Sequence, residues 1–360
     1  MGMFHDDGDS RASFPGSREV GDRLGLTFGP VPSRRFGRSL GVNNIPPKVC
    51  SYSCVYCQVG RTDHLQCKRR SFHPAAVIRA AVRRHVERAA QAHEPVDYLT
   101  FVPDGEPTLD AGLHQAIRLL RPLGFPIAVL TNGSLLRHVD VRAALADADH
   151  VSVKVDTVRD GPWRKVNRPH RRLHLEDVLN GMRAFAATFP GTLTTETMLV
   201  DGVNDSEGEL RATAAFVAEL DPEVAYLSVP TRPPAESWAT PPSEAVLARA
   251  YEVFRTWHRH VELLLEYEGD AFVSTGDVVA DLLDITAVHP MREGAVRRLL
   301  RRKGTSWHVV SDLIAAGVLV EVQYGPHRYY LRHLAPQQGR RVHIDDGEEE
   351  RRHEDRHHHL

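Results

Sequence analysis

The sequence of 360 residues predicts an α/β protein, a partial (βα)6 TIM-like barrel followed by a C-terminal winged-helix unit. Short apolar runs rich in β-branched residues alternate about six times with longer helical patterns, and right-handed crossovers would curl the resulting parallel sheet. No G-x-G-x-x-G sequence follows any of these runs, which disfavours a dinucleotide-binding sheet. Beyond residue 268 the pattern changes to two short helices and a hairpin, the outline of a winged helix.

The six predicted strands are short and apolar, as is typical of strands buried in a parallel sheet. They cover residues 39–45, 96–102, 126–132, 150–156, 193–200 and 224–230. The helices predicted between and after them cover residues 74–92, 111–123, 134–146, 175–185, 206–220 and 243–260. Two of these helices begin at Ser206 and Ser243, each followed by a glutamate, which favours a helix N-terminus. The C-terminal unit is predicted to contain helices over 295–300 and 309–313 and a hairpin that turns at 324–327.

Composition divides the chain into four predicted parts. Residues 1–22 are a flexible leader, 23–268 the barrel, 269–335 a winged-helix-like domain and 336–360 a disordered charged tail. The leader is rich in Gly, Ser and Asp, and the tail has almost no apolar residues. Neither segment can therefore bury a core of its own.

The charge balance and the cysteine content exclude several classes of protein. The chain has 45 Lys and Arg against 47 Asp and Glu, so its formal charge of −2 provides no global basic field for nucleic acid or membrane. Four cysteines are too few for a disulfide-stapled secreted scaffold. There is no run of about 20 apolar residues to span a membrane, and the first residues lack the apolar core of a signal peptide. These features predict a cytoplasmic protein with no membrane partner.

Three of the four cysteines lie within eight residues, in the spacing C-x3-C-x2-C formed by Cys50, Cys54 and Cys57. Thiolates this close converge only from a loop wrapped around a metal, and two metal sites compete. A structural zinc would need a fourth ligand such as Cys67 or His64. A [4Fe–4S] cluster is usually held by four thiolates, and three would leave one iron open for chemistry. Buried cysteines without a ligand are the third interpretation.

The position of the cysteines in the predicted fold favours a functional site. Their loop follows the first predicted strand and so lies at the C-terminal mouth of the barrel, where active sites are built. Polar sequences also follow the next three strands, at residues 103–107, 131–134 and 154–157. Four successive strand ends with ligand-type residues are not explained by turn chemistry alone.

The cysteine spacing, with Tyr56 before the last cysteine, resembles the signature of the radical S-adenosylmethionine (SAM) superfamily. The run 105–107 resembles that family's GGE-type motif, although Asp104 stands where its first glycine is often found. The sequences of residues 29–35, 48–58 and 196–205 resemble those of one branch of the family, the iron–sulfur oxidoreductases akin to wybutosine-type tRNA synthetases.

The resemblance implies an enzyme with two cofactors, a [4Fe–4S] cluster and SAM. It would cleave SAM reductively to a 5′-deoxyadenosyl radical that abstracts hydrogen from a substrate. Cys50, Cys54 and Cys57 would be the metal ligands. The implied cofactor-binding residues are Tyr56, Gly105, Glu106, Pro107, Thr131, Asn132, Ser134, Asp156 and Glu196. Glu106 would accept hydrogen bonds from the methionine ammonium, and Tyr56 would flank the adenine. No catalytic residue beyond the cluster is assigned.

The partners are less specified than the cofactors. The chemistry implies a reductant such as flavodoxin or ferredoxin. The substrate is unidentified, and the resembling branch suggests an RNA base, such as one in tRNA, which a basic segment over 292–303 would help to bind. Arginines near the barrel mouth, including Arg34, Arg35 and Arg61, suggest instead an anionic small molecule. The alternatives are thus a radical SAM enzyme acting on a small molecule or peptide, and a zinc-stabilised DNA-binding regulator.

Overall fold

The computed structural model describes residues 25–265 and 277–333. The predicted leader and tail, and the predicted boundary between 268 and 269, lie outside these residues. Within them, no helix combines the length and the apolar character needed to cross a lipid bilayer.

In the first described part, the helices are α1 (Ala75–Gln91), α2 (Leu113–Leu120), α3 (Val139–Leu145), α4 (Asp160–Val166), α5 (Leu175–Ala186), α6 (Glu207–Leu220) and α7 (Glu244–Trp257). Its strands are β1 (Thr27–Ser33), β2 (Gly37–Val42), β3 (Val49–Cys50), β4 (His64–Leu65), β5 (Tyr98–Phe101), β6 (Ile127–Thr131), β7 (His150–Lys154), β8 (Thr192–Met198), β9 (Val224–Ser228) and β10 (Val261–Leu264). All six predicted strands are present, and α6 and α7 begin at the predicted serines, whose hydroxyls accept from backbone N–H groups of the first turn.

The main sheet has eight strands in the order β1-β2-β5-β6-β7-β8-β9-β10. Strands β2 and β5 to β10 run parallel, and β1 is antiparallel to β2. The α/β class is confirmed, whereas the sheet is mixed rather than wholly parallel. Sequence reasoning did not predict β1, β10 or α4.

The sheet is strongly curved. Arg35, in the β1–β2 turn, places its Nη1 2.8 Å from Oε2 of Glu196 on β8. Four strand spacings separate β2 from β8, about 19 Å in a flat sheet, which an arginine side chain cannot span. The sheet must therefore curl so that its concave face gathers side chains from distant strands.

The helix predicted over 134–146 is shorter than expected, since α3 begins at Val139. Residues 134–138 form turns instead, with the N–H groups of Leu136 and His138 donating to carbonyl oxygens three residues earlier. Leu135 and Leu136 are fully buried in the core. These two leucines are apolar because they belong to a loop that packs in the core. The spacing of apolar residues alone does not distinguish such a loop from a helix.

The second described part contains α8 (Val278–Val288), β11 (Met291–Arg292), α9 (Glu293–Arg302), α10 (His308–Ala315), β12 (Leu319–Tyr324) and β13 (His327–Arg332). Its three strands form a small sheet in the order β11-β13-β12. The two predicted helices and the hairpin are present, while α8 and β11 were not predicted. The winged-helix assignment of this C-terminal unit stays a prediction.

The C-terminal unit packs against the edge of the main sheet. Phe28 and Val31 of β1 share one apolar cluster with Leu282, Met291 and Leu299 of the C-terminal unit. The hydroxyls of Tyr324 and Tyr329 also donate to the carbonyl oxygens of Pro230 and Thr231, at 3.1 and 2.9 Å, just after β9. The unit is thus held both to β1 and to the segment that follows β9.

Candidate active site

A cavity of about 380 Å³ opens at the C-terminal ends of the parallel strands, within the usual size range of ligand pockets. All three motif cysteines line it. Six of the nine residues predicted to bind the cofactor also line it, namely Tyr56, Gly105, Glu106, Thr131, Asn132 and Glu196. The other three predicted residues, Pro107, Ser134 and Asp156, are buried behind the lining. The structure thus brings together residues that the sequence spreads over some 150 positions.

The cysteine loop follows β2. Cys50 ends β3, which pairs with β4, and the Cys57 N–H donates to the Cys54 carbonyl oxygen at 3.1 Å. Burial raises the pKa of the Cys54 thiol to about 12, with the Asp156 carboxylate adding to the shift. Burial also raises the pKa of Cys50 and of Cys57. Burial disfavours the thiolates because it removes their hydration, and a bound metal centre would supply the positive charge that stabilises them.

The donor set fits an iron–sulfur cluster. Within the described residues, no three Cys, His, Asp or Glu side chains converge on a point that one metal ion would occupy. A cluster binds each thiolate through a different iron, so convergence on one point is not required. The three thiols would hold the cluster, and Gly105 keeps the facing strand end free of side chain.

Gly105 is needed for a close backbone approach. A methyl group at this position would overlap the carbonyl oxygen of Val49, in the strand that carries Cys50. The Glu106 N–H donates to that same carbonyl at 3.1 Å. The glycine therefore fixes the spacing between the cysteine loop and the end of β5.

Replacing Gly105 with alanine is expected to destabilise the protein by about 1–3 kcal/mol, because the new methyl group meets backbone rather than a movable side chain. The free energy of unfolding in denaturant measures the loss. Gly161 in α4 is the control, since a methyl group there meets nothing within 4 Å. A Gly105→Ala protein as stable as the Gly161→Ala protein would contradict the close approach.

The Glu106 carboxylate orders the ends of β5 and β6. Oε1 accepts from the hydroxyls of Thr108 and Thr131, both at 2.6 Å, and from the Thr108 N–H at 3.1 Å. Oε2 accepts from the Asn132 N–H at 2.8 Å. Burial raises the pKa of Glu106 above its ordinary value, although the hydrogen bonds from these donors oppose the shift. Oε2 accepts one described bond and so retains acceptor capacity, and the predicted contact with the methionine ammonium stays a prediction.

Asn132 connects the end of β6 to the cysteine loop. Its Nδ2 donates to the Ser51 hydroxyl at 2.9 Å and lies 3.6 Å from the Cys50 sulfur. The Ser51 hydroxyl is in turn 2.7 Å from that of Ser134. Ser134 therefore acts through Ser51, as a positioning residue for the loop.

Asp156 holds the other end of the cysteine loop. Its Oδ2 accepts from the Tyr56 hydroxyl and from Asn167 Nδ2, the latter at 2.6 Å. The same Asn167 nitrogen lies 3.5 Å from the Cys54 sulfur. Asp156 is thus a positioning residue that fixes the Tyr56 ring at the cavity wall. The contact of Asn167 with a motif cysteine was not predicted from its sequence position.

A charge cluster around the buried Glu196 lies on the concave face, and its Lys154 Nζ is 5.0 Å from the centroid of the Tyr56 ring. Oε1 of Glu196 accepts from Lys154 Nζ and from the Ser228 hydroxyl, both at 2.8 Å, and Oε2 pairs with Arg35 Nη1 at 2.8 Å. Burial alone would raise the pKa of Glu196, but Lys154 and Arg35 lower it well below its usual range. Two cations thus share one carboxylate, which leaves this wall positively charged.

Asp104 stands where the GGE-type motif often has its first glycine, and it lines the cavity. Its side chain is 4% exposed, and its Oδ1 has no hydrogen-bond partner within the described residues. Burial raises the pKa of Asp104 from 3.8 to about 8, with Arg332 and Lys48 opposing the shift. The folded protein therefore keeps a proton on Asp104 at neutral pH.

Replacing Asp104 with asparagine is expected to change how stability depends on pH. The raised pKa means that the folded state binds a proton that the unfolded state has released, so stability falls as pH rises from about 4 to about 8. In the variant this part of the fall, at most about 6 kcal/mol for a shift of the pKa from 3.8 to about 8, should disappear. Denaturant unfolding at a series of pH values measures it, and identical slopes in the two proteins would contradict the assignment.

The C-terminal unit contributes to the cavity wall. His289, after α8, lines the cavity, and its Nε2 is 2.9 Å from Nη2 of Arg232. Arg232 Nη1 donates to Oε1 of Gln58, the residue after Cys57, at 2.7 Å. Burial lowers the pKa of His289 well below its usual value, so the ring is neutral. No motif or periodicity in the sequence signals this connection, because it depends on how the C-terminal unit packs.

Comparisons with known proteins agree with the site. Residues 44–214 match the family model of the radical SAM superfamily. The chain is 41% identical over 311 residues to the UPF0026 protein MJ1312 of Methanocaldococcus jannaschii, which covers 86% of this chain and 96% of that relative. The chain therefore belongs to the UPF0026 family, and its residues 44–214 form a radical SAM domain, as the cysteine motif predicts. Members of the superfamily use a [4Fe–4S] cluster and SAM and need an external reductant.

The chain is also partly similar to two solved structures. One is a radical SAM methyltransferase from Sphaerobacter thermophilus, with 20% identity over 63% of this chain and 66% of that chain and a TM-score of 0.49. The other is TYW1 with a lysine–pyruvate adduct bound, with 15% identity over 61% of this chain and 74% of that chain and a TM-score of 0.47.

Proposed function

We propose that this chain is a radical SAM iron–sulfur oxidoreductase that abstracts a hydrogen atom from a substrate held beside its cysteine loop. The observation that carries the proposal is that three half-buried thiols and the polar ends of β5 to β8 belong to one cavity. When bound, the cluster and SAM supply a reductive cleavage that yields methionine and a 5′-deoxyadenosyl radical. The residues of the chain bind, orient and shield the reactants.

The roles of the residues follow from their contacts. Cys50, Cys54 and Cys57 hold the cluster. Glu106, through the free acceptor capacity of Oε2, receives the methionine ammonium, and Tyr56, fixed by Asp156, bounds the adenine. Thr131 and Asn132 lie beside them on the lining, and Ser134 and Pro107 support them from behind.

The charge of the cavity supports an anionic substrate. Six cationic side chains line it, namely Arg34, Arg35, Lys48, Arg61, Lys154 and Arg232. Only three carboxyl groups oppose them there, those of Asp104, Glu106 and Glu196, although Glu236 pairs with Arg61 just outside. Such a field favours phosphate or carboxylate groups. Both a nucleotide of an RNA and a small acidic molecule satisfy it.

The RNA candidate has one specific observation in its favour. Five cationic residues on and just after α9 are exposed, namely Arg297, Arg298, Arg301, Arg302 and Lys303. We assign them to a winged-helix-type module, within proposed bounds of 269–335, that would contact phosphates beside a barrel over 23–268. The small-molecule candidate rests on the cavity charge alone.

Isotope transfer tests the function and separates the two candidates. The anaerobically reconstituted protein, given dithionite and SAM, should form 5′-deoxyadenosine, and a deuterated substrate should pass its label into that product. If RNA is the substrate, total tRNA should raise the rate of deoxyadenosine formation, and Arg301→Glu/Arg302→Glu should cancel the rise. A protein that forms no deoxyadenosine with either class of substrate contradicts the proposed function.

A further inference from the structure

Two strongly basic segments meet on the outer side of the cysteine loop. Residues 67–72 follow β4, and residues 167–172 follow α4. They come together where the sulfur of Cys67 lies 3.4 Å from Nδ1 of His170. The Arg172 N–H also donates to that ring nitrogen, so Nδ1 is an acceptor and the thiol is its donor. The two segments are therefore held in contact.

The exposed side chains of Lys68, Arg70, Arg171 and Arg172 form a surface that we call the basic patch. The two segments contain no acidic residue. Arg69 pairs with Asp140, and Arg168 pairs with Glu236 at 2.6 Å. The four residues of the patch form no salt bridge with any part of the chain that the structure describes, and Arg70 lies over the Phe72 ring. The patch thus carries a positive charge that the described residues do not neutralise.

The patch is attached directly to the backbone that carries the motif cysteines. The Gln66 N–H donates to the Cys50 carbonyl oxygen at 2.9 Å, and the His170 N–H donates to that of Ser51 at 2.9 Å. Tyr52 also forms a β-bridge with Pro169. None of residues 63–72 or 167–172 lines the cavity. The patch therefore faces outward, on the side of the cysteine loop away from the SAM and substrate cavity.

We infer that the basic patch is the docking surface for an acidic electron-transfer protein, which is a deeper statement of the proposed function and rests on it. A partner bound at this patch would lie beside the backbone of Cys50 and Ser51 and would displace nothing from the cavity. Four cations in a small area steer an acidic partner and fix its orientation. In the encounter the partner is oxidised by one electron and the metal centre reduced by one, with no bond formed or broken.

A nucleic acid would also be attracted to the patch, but its position favours the redox partner. A base that reacts must enter the cavity, so its flanking phosphates should follow the cavity mouth, where Arg34 and Arg61 lie. The patch lies outside that lining. RNA binding at the patch is therefore an outcome that the test below must separate.

The test compares two adjacent, exposed arginine pairs, both reversed in charge. Arg171→Glu/Arg172→Glu removes half of the patch, and Arg301→Glu/Arg302→Glu on α9 is the matched control. Reduced flavodoxin is the probe, and its binding to the full chain is measured by titration at low salt. The patch variant should bind roughly tenfold more weakly, with less dependence on salt, and the control within about twofold of wild type. Equal binding by both variants overturns the inference.

Two further measurements make each outcome decisive. Stopped-flow bleaching of the cluster should slow in the patch variant with limiting flavodoxin but match wild type with dithionite, which shows that the fold and the cluster are intact. Lys68→Glu, on the other segment, should also weaken flavodoxin binding.

A patch variant that loses tRNA binding but keeps flavodoxin binding assigns the surface to nucleic acid and overturns the inference. Failure to form deoxyadenosine in the wild type contradicts the proposed function, whereas the binding titration still tests the patch.

Discussion

Replacing Cys54 with alanine is expected to abolish both the visible absorption of an iron–sulfur cluster and the formation of 5′-deoxyadenosine. Cys54 is one of three half-buried thiols on the cavity wall, and the structure shows no spare cysteine on that wall among the described residues. A cluster with two protein ligands in place of three loses both affinity and geometry. Anaerobic reconstitution, followed by absorption spectroscopy and product analysis with dithionite and SAM, measures the loss.

The fourth cysteine provides the control. Cys67 contacts His170 on the outer side of the loop and does not line the cavity. Cys67→Ala should therefore keep the absorption and the activity of the wild type. If the wild-type protein stays colourless after reconstitution and holds one zinc ion, the zinc-stabilised regulator replaces the enzyme interpretation.

Replacing Glu196 with glutamine is expected to lower the free energy of unfolding by about 3–5 kcal/mol. Glu196 is 8% exposed and is the carboxylate shared by Lys154 and Arg35. Glutamine removes the negative charge and leaves two half-buried cations facing each other. Denaturant unfolding at neutral pH measures the difference in the free energy of unfolding between the variant and the wild type.

The pH dependence of this difference has a definite sign. Lys154 and Arg35 hold the folded-state pKa of Glu196 below its ordinary value of 4.5, so its stabilisation is fully present above that pH and is lost as pH falls below it. The gap between wild type and Glu196→Gln should therefore shrink in acid. Glu262→Gln, an exposed position on β10, should change stability by less than about 0.5 kcal/mol. An equal, small effect at both positions would contradict a buried charge cluster.

Much of the fold could be predicted from the sequence because several parallel strands are short runs dominated by apolar residues, as is typical of strands buried in a parallel sheet. Strands β5, β6 and β9 are of this kind. The predictions failed where the local sequence disfavours a structure that tertiary contacts nevertheless impose. β1 contains glycine and two prolines within Thr27–Ser33, residues that weaken any strand prediction, yet it pairs with β2 at the edge of the sheet, where proline is tolerated.

The candidate site was predictable where its residues follow strands in sequence. The cysteine spacing and the polar strand ends place Glu106, Thr131 and Asn132 together once the strands are parallel. The positioning contacts were not predictable, since Asn167 reaches Cys54 only through the path of the chain after α4, and His289 reaches the cavity only through packing of the C-terminal unit. Both depend on contacts between residues more than fifty positions apart, for which a single sequence carries no local signal.

The shared core of β1 and the C-terminal unit also determines when this protein can finish folding during its synthesis. Phe28 and Val31 bury their side chains against Leu282 and Met291, which the ribosome adds some 250 or more residues later. At translation rates of about 5–20 residues per second, β1 waits for roughly 10–50 s as an exposed apolar edge. A nascent chain that stalls before the C-terminal unit is complete should therefore present a sheet edge prone to association, and the part of the cavity wall that includes His289 should form only after that unit has been synthesised.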